Sequence, residues 1–263
     1  MVKKYFKTAL RRLIRNKWIS LINILGLTLG MAATFVILMF IFHETGYNKY
    51  HEKKDRIFRI LQENKLHNWH TDNTPYPLAG ELQEQYADIE KAAGIFYAFN
   101  TNVKKDQEFI QEKRFYCSEN ELFDIFSIPV LRGNKNELLR DPYDVVLTQT
   151  MAKKYFGSLD VLGKLLHVSM GGNEIDLKVT GIIEDFPANS SFKADFIAGN
   201  ALALENMDDM LIKSHDNKQP PEYYRDSWES AFFSTFILSK RAVDKDFFND
   251  IFAEVEKKHL KEP

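Results

Sequence analysis

The feature that most constrains this chain of 263 residues is one long apolar run near its start, at residues 19–42. The run, ISLINILGLTLGMAATFVILMFIF, has 24 residues without a charged side chain or a proline. A helix rises about 1.5 Å per residue, so this run can cross a hydrocarbon core of about 30 Å with some tilt. The next most apolar stretch, residues 231–238, has only 8 residues. The sequence therefore predicts one transmembrane helix at residues 18–42, followed by a large domain in water.

A purely basic segment precedes the apolar run and predicts its orientation. Residues 1–17 contain no Asp or Glu, and their seven cations are Lys3, Lys4, Lys7, Arg11, Arg12, Arg15 and Lys17. Short cationic flanks stay in the cytoplasm, so we predict a cytoplasmic N-terminus, with residues 43–263 on the other side of the membrane. Because the whole chain has a net charge of −2, residues 18–263 carry −9, which agrees with export.

The apolar run is predicted to be a permanent anchor rather than a cleaved signal peptide. A signal peptide has an apolar core of about 7–15 residues, followed by a cleavage site made of small residues. This run is longer, and the residues that follow it, HETGY at positions 43–47, offer no such site.

The basic segment has the pattern of an amphipathic helix. Val2, Phe6, Leu10 and Leu13 recur at three- to four-residue spacing, and the cations fill the other side. We predict that this segment lies as a helix on the inner membrane surface, with Trp18 at the interface where the chain turns into the span. The alternative is a short basic tail whose periodicity is accidental.

Within the span, Gly26 and Gly30 form a pattern of small residues four apart. Such glycines expose backbone on one face and let another helix approach closely. Asn23 can donate or accept a hydrogen bond with a neighbouring helix. We therefore predict that this face packs against other membrane spans, whereas an isolated anchor would face lipid on all sides.

The remainder of the chain, residues 43–263, is predicted to be a mixed extracytoplasmic domain of the α+β class, as one unit or two subdomains. Strand-like and helix-like segments follow one another without a regular βαβ rhythm, and one strand is expected at residues 108–116. Cys117, the one cysteine, leaves no internal disulfide framework. We expect it to pack in the core.

Local motifs predict how several of these segments begin and end. Residues 118–121, SENE, have the pattern of a capping box at the start of a short helix. Thr148 or Thr150 is expected to cap a second helix, which ends at Gly157. The sequence GGN at residues 171–173 predicts a hairpin.

The sequence carries none of the common catalytic or nucleotide-binding motifs. It has no GxxxxGK[ST], no GxGxxG, no GxSxG and no HExxH. His67 and His70 are close enough to begin a metal site, but no third ligand lies at a suitable spacing, so we interpret them as loop histidines. The prediction is therefore no catalytic residue, no metal and no cofactor. We also expect no nucleic-acid partner.

Several blocks of sequence, taken in order, resemble one known family. Asn16-Lys17, SLINILGL at residues 20–27 and Gly30 are similar to the first membrane helix of FtsX/MacB-like ABC transporter permeases. The later blocks resemble the MacB-like periplasmic core domain and extend the resemblance over nearly the whole chain. They are YNKYH at 47–51, DRIFRI at 55–60, TP at 74–75, PLA at 77–79, FDIFS at 123–127, VVLT at 145–148, AKKYFG at 152–157, GK at 163–164, VTGII at 179–183 and DFPANS at 185–190.

This resemblance implies the N-terminal portion of a permease subunit in the bacterial inner membrane. Permeases of this kind pair with a separate cytoplasmic ABC ATPase subunit, so ATP hydrolysis is not expected in this chain. Nucleotide binding there moves the membrane helices, and the motion is relayed to the periplasmic domain for export or mechanotransmission. The implied partners are that ATPase, other permease helices or a second permease copy, and the lipid bilayer.

The sequence departs from the family at its end. Full members continue with further membrane helices, whose cytoplasmic loop contacts the ATPase, whereas this sequence stops at Pro263. We therefore expect a fragment or a truncated product, which reaches the ATPase only through helices that it lacks. Two other interpretations stay open. One is a complete single-span protein whose exported domain senses or binds a ligand, and the other is a membrane-tethered periplasmic enzyme.

Overall fold

The computed structural model divides the chain into two compact units, Met1–Lys49 and Tyr50–Pro263. It describes residues 2–46, 48, 51–64, 69–211 and 219–259. The first unit consists of two helices, and the second is built around a large mixed sheet.

The first unit contains α1 (Val2–Arg15) and α2 (Lys17–Thr45), which are separated by Asn16 alone. The part Lys17–Phe42 is long and apolar enough to cross a membrane, and none of it is buried inside the structure. A helix that is apolar on every side is typical of a membrane span, because lipid can cover all of its faces. The predicted N-terminal apolar helix is therefore present.

The second unit contains a sheet of 12 strands within the described residues. In chain order they are β1 (Ile57–Arg59), β4 (Asn73–Pro75), β5 (Ile89–Tyr97), β6 (Thr101–Lys105), β7 (Glu108–Glu112), β8 (Phe115–Ser118), β9 (Val130–Arg132), β10 (Asp144–Thr148), β11 (Leu165–Met170), β12 (Asn173–Ile183), β13 (Phe196–Gly199) and β14 (Ala231–Ser239). A separate two-stranded sheet pairs β2 (Gln62–Asn64) with β3 (Trp69–Thr71).

Within the same described residues, six α-helices accompany the strands. They are α3 (Pro77–Gln85), α4 (Leu122–Ile125), α5 (Gln149–Phe156), α6 (Asn200–Leu211), α7 (Pro221–Asp226) and α8 (Asn249–His259). Short 3₁₀ turns occur at Lys54–Arg56, Lys135–Glu137 and Lys245–Phe248.

The strand order in the large sheet is β1-β14-β5-β8-β13-β10-β12-β11-β6-β7, with β4 also paired to β14 and β9 to β12. β8 and β13 are parallel, as are β10 and β12, and the other pairs are antiparallel. The sheet is therefore mixed, and several of its antiparallel neighbours, such as β1 and β14, are far apart in the sequence. The α+β prediction is confirmed.

Side chains from both faces of the sheet form the core, because successive residues of a strand point to opposite faces. On β13, Phe196 and Ala198 contribute to one cluster and Ile197 to the other. The first cluster includes residues of α5 and α6, and the second includes α4. The stacked rings of Phe115 and Phe196, 5.4 Å apart, lie in the first cluster, and so does Cys117, which is buried as expected.

Two of the predicted local motifs are confirmed in detail. Thr148, not Thr150, caps α5, since its side chain accepts a hydrogen bond from the Met151 N–H, and Gly157 ends the helix in the left-handed region. The hairpin between β11 and β12 pairs Met170 with Asn173, so its two-residue turn consists of Gly171 and Gly172. Both glycines have positive φ, as this turn requires.

Two other local predictions are wrong. Residues 118–121 do not form a capping box, because α4 begins without a side-chain cap and the Ser118 hydroxyl donates instead to the carbonyl oxygen of Gly94. Residues 108–116 do not form one strand: β7 ends at Glu112 and β8 begins at Phe115. The break allows β7 to lie at one end of the strand order, while β8 pairs with β5 and β13.

Candidate functional site

The candidate site lies where the chain enters the second unit after the apolar helix. We call residues 51–56 the leading segment. His51 has only 5% of its surface exposed, and its ring nitrogen Nδ1 lies 3.0 Å from the carbonyl oxygen of Phe126. A carbonyl oxygen can only accept, so Nδ1 carries the hydrogen and donates it. Burial lowers the pKa of His51, and the bond to Phe126 opposes part of that shift.

Two further side chains fasten the leading segment to other elements. The Lys53 ammonium donates to the carbonyl oxygen of Asp124 in α4 at 2.9 Å. Arg56 donates through Nε to the carbonyl oxygen of Ser239, at the end of β14, at 2.7 Å, and also forms an ion pair with Glu90 on β5. The leading segment is therefore attached to α4 and to two neighbouring strands, β14 and β5.

Phe126 connects the leading segment to the core. Its ring centroid lies 5.3 Å from that of His51, 5.2 Å from Phe192 and 5.1 Å from Phe236 on β14. Tilted, offset and edge-to-face aromatic pairs at these distances are favourable beyond the area they bury. Displacement of His51 would therefore be transmitted to a packed aromatic cluster.

A groove of about 230 Å³ lies beside this contact. It is lined by His51, Glu52, Phe126, Ser127, Ile128, Pro129, Glu184, Asp185, Phe186 and Pro187. Ser127 has a positive φ of 49°, a conformation that costs a non-glycine residue about 1–2 kcal/mol. Asp185 has a structural role here, because its carboxylate accepts from the Thr150 hydroxyl at 2.7 Å and from the Thr150 N–H at 3.2 Å.

The predicted helix-packing residues all lie on α2, within the first unit. A Cβ atom built on Gly26 or Gly30 would meet no atom within 4 Å, so this face is open. Asn23 is exposed on the same helix, and the Thr34 hydroxyl donates to the carbonyl oxygen of Gly30 at 2.9 Å. The open space beside Gly26 and Gly30 leaves room for a second helix against the glycine face.

The predicted membrane-interface residues lie on α1 and at the start of α2. Those whose side chains the structure describes are exposed: Lys4, Lys7, Arg11, Arg12, Arg15, Lys17 and Trp18. The side chain of Lys3 lies outside the described residues. Trp18 is 70% exposed, one residue into the apolar helix.

Among the residues that the structure describes, the remaining histidines and acids form no candidate metal site. His67 lies outside the described residues, and His70 is exposed on β3. Within the part of the chain that the structure describes, no group of three or more His, Cys, Asp or Glu side chains is placed to hold a metal ion.

Sequence reasoning from local motifs missed the roles of His51, Lys53 and Phe126. Both His51 and Phe126 fall inside blocks that resemble the permease family, at residues 47–51 and 123–127. No local pattern could have paired them, because the two residues are 75 positions apart in the sequence.

Comparison with known proteins identifies the domain. The MacB-like periplasmic core domain family matches residues 20–225. A domain of a protein described as a permease, from Porphyromonas gingivalis, is similar over 80% of this chain and 87% of its own, with a TM-score of 0.62 and 19% identity. The periplasmic region of MacB from Actinobacillus actinomycetemcomitans has the same coverages, with a TM-score of 0.51 and 14% identity.

At these identities the two structures are evidence of a shared fold, and the family match is the evidence for membership. Among curated proteins, none matches the chain. The family match covers well over half of the sequence and includes most of α2, the leading segment and the sheet up to α7. The chain therefore belongs to the MacB-like periplasmic core domain family of ABC transporter permeases.

Proposed function

We propose that this chain is the N-terminal portion of a permease subunit that relays ATPase-driven motion to its periplasmic domain, for export or mechanotransmission. In this proposal the N-terminus is cytoplasmic, α2 crosses the inner membrane, and the second unit lies in the periplasm. ATP hydrolysis takes place on a separate cytoplasmic ABC ATPase subunit. That subunit acts through further permease helices, which pack against the face formed by Asn23, Gly26 and Gly30.

The observation that carries the proposal is the attachment of the leading segment. The chain from Thr45 at the end of α2 to His51 can span at most about 20 Å when fully extended. Lys53 then bonds to α4, His51 bonds to Phe126 directly after α4, and Arg56 bonds to β14. Because the connection is so short, a displacement of the outer end of α2 that extends it fully must apply force to these contacts.

The elements that receive this pull are packed rather than loose. Phe126 contacts Phe192 and Phe236, and α4 contributes Leu122, Phe123 and Ile125 to the core cluster on its side of the sheet. Close-packed interiors have low compressibility and transmit strain. The domain is therefore suited to rigid-body motion when a force acts on its leading segment.

The test changes the length of the connection while leaving the domain intact. A flexible Gly/Ser segment is inserted after Gly46, in the complete permease assembled with its ATPase in nanodiscs. Spin labels on the periplasmic domain and on the outer end of a membrane helix report their distance with and without ATP. We expect the insertion to abolish the ATP-dependent distance change, while ATP hydrolysis continues.

The matched control places the same segment between Gly171 and Gly172, at the tip of the β11–β12 hairpin, where it should leave the distance change intact. An unchanged response after insertion at Gly46 would contradict the relay. If the labelled domain responds to a periplasmic ligand and never to ATP, the alternative of a single-span sensor or ligand-binding protein is correct.

A further inference from the structure

The cations of α1 form rows along the helix that have no acidic counterpart. Positions 3, 7, 11 and 15 are all Lys or Arg, and each is four residues from the next. Lys4 and Arg12 flank this row with the same spacing through Thr8. Residues four apart are neighbours on a helix surface, where like charges repel and opposite charges attract. The first acidic residue of the sequence is Glu44, at the far end of α2, so the row has no carboxylate nearby in its own unit.

The first turn of α1 also lacks the negative charge that a helix dipole favours. No acidic residue lies there, so neither the dipole nor the rows of cations have a carboxylate beside them. An external surface that supplies negative charge would therefore stabilise this helix.

The opposite side of α1 requires an apolar environment. Phe6 and Leu13, which are seven residues apart and so lie on the same side of the helix, are both exposed, with 70% of Phe6 accessible. Only Asn16 separates α1 from α2, and the Asn16 carbonyl oxygen accepts from the Ser20 N–H at 3.0 Å. A surface that is apolar inside, anionic at its boundary and adjacent to the end of a membrane span is that of a bilayer containing acidic phospholipids.

We propose that α1 is a binding surface for anionic phospholipid, with Lys4, Lys7, Arg11, Arg12 and Arg15 on the headgroup phosphates and Phe6 and Leu13 among the acyl chains. Basic residues close to an anionic leaflet are attracted to it, whereas a zwitterionic leaflet offers only the apolar contribution. The selectivity for acidic lipid therefore comes from the charged rows, and the insertion depth comes from the aromatic side. This proposal shares with the proposed function only the membrane crossing by α2.

The experiment uses the full chain in vesicles of phosphatidylcholine, with or without phosphatidylglycerol. A fluorophore sensitive to polarity is attached to the variant Phe6→Cys, and Cys117 remains unlabelled because it is buried. We expect the probe to enter the lipid phase several-fold more fully in the vesicles with phosphatidylglycerol. The gain should disappear at 1 M salt, where the screening length falls to about 3 Å.

A charge variant and a matched control complete the design. Replacing Lys4, Lys7, Arg11 and Arg12 with Gln should reduce the signal in the vesicles with phosphatidylglycerol to that seen with phosphatidylcholine alone. Replacing four exposed cations of the second unit, Lys105, Lys113, Lys153 and Lys178, should leave it unchanged.

Two outcomes would overturn the inference. Equal, salt-insensitive insertion in both lipids would mean that only the apolar side binds. A probe that stays in water on acidic vesicles would exclude lipid as the occupant and favour an acidic cytoplasmic macromolecule instead. Neither outcome depends on whether ATP moves the periplasmic domain.

Discussion

His51 donates a hydrogen bond of 3.0 Å from Nδ1 to the carbonyl oxygen of Phe126, and the rings of the same two residues lie 5.3 Å apart. One residue pair thus joins the start of the periplasmic domain to its core by a polar and an aromatic contact. Because His51 is buried, neither contact is readily replaced by water.

Replacing His51 with Ala should lower the free energy of unfolding by about 2–3 kcal/mol, because it leaves a cavity and removes the donor to Phe126. Urea unfolding of the full chain in detergent, followed by tryptophan fluorescence, measures the difference. His70→Ala, on the exposed side of β3, is the control and should change stability by no more than about 0.5 kcal/mol. Equal effects of the two substitutions would mean that the contact with Phe126 does not stabilise the domain.

Two glycines with similar backbone angles offer a test of close packing. Gly133 has φ +103° and Gly172 has φ +97°, so Ala is strained at both, by about 1–2 kcal/mol. A Cβ on Gly133 would clash with the carbonyl oxygen of Thr180 and press on Leu138, whereas at Gly172 it would meet open space. We therefore expect Gly133→Ala to cost about 2 kcal/mol more than Gly172→Ala in the same unfolding measurement. A smaller cost at Gly133 would contradict the close approach of these two backbones.

Glu119 should make the stability of the domain depend on pH. Burial raises the pKa of Glu119 from its ordinary value of 4.5 to about 7, although the Gly94 N–H donates to its carboxylate at 2.8 Å and the Asn200 side chain also bonds to it. Glu119 keeps some accessible surface as a residue, but its carboxyl group is surrounded by protein and is the part that burial affects. The folded state therefore holds a proton between about pH 4.5 and pH 7 that the unfolded state releases.

Stability from this group is therefore full below about pH 4.5 and declines as pH rises to about 7, by about 2–3 kcal/mol in total. Glu119→Gln stays neutral, so the variant should lose this pH dependence and be more stable than the wild type at pH 8. Unfolding midpoints measured at several pH values test this expectation. Glu137→Gln, which removes an exposed ion pair with Arg140, is the control and should preserve the decline. An identical profile for wild type and Glu119→Gln would show that Glu119 is ionised throughout.

The glycine face of α2 should matter for assembly and not for folding. A Cβ atom on Gly26 or Gly30 meets no atom within 4 Å outside the helix backbone, so after replacement of both glycines with Leu the periplasmic domain should unfold as in the wild type. If the face packs against another span, the substitutions should reduce co-purification of the other permease helices, because bulky side chains keep the backbones apart. Thr28→Leu, two positions from each glycine and thus on the other side of the helix, should have little effect. Undiminished assembly would show that this face is turned toward lipid.

Features encoded by contiguous residues could be predicted from the sequence. The apolar run predicts α2 from its length alone, the pair Gly171-Gly172 predicts its hairpin, and Thr148 predicts the start of α5. Each of these features depends on interactions among residues that are close together in the sequence.

Features that depend on distant partners could not be predicted. Ser118 has the spacing of a capping residue, but its hydroxyl bonds to Gly94 because β8 lies beside β5 in the sheet. The chain breaks between β7 and β8 next to Arg114, whose carbonyl oxygen accepts from Asp195 and Phe196 N–H groups more than 80 positions away. The attachment of His51 to Phe126 also joins residues that are distant in the sequence. Sequence motifs therefore indicated the family but not the contacts of the leading segment.

The first and the last strands of the periplasmic sheet are neighbours. Ile57 on β1 pairs with Leu238 on β14, so the chain enters and leaves the sheet through adjacent, antiparallel strands. The sheet can therefore be accommodated between two adjacent points of a surrounding chain, with α8 as the α-helix that follows its last strand.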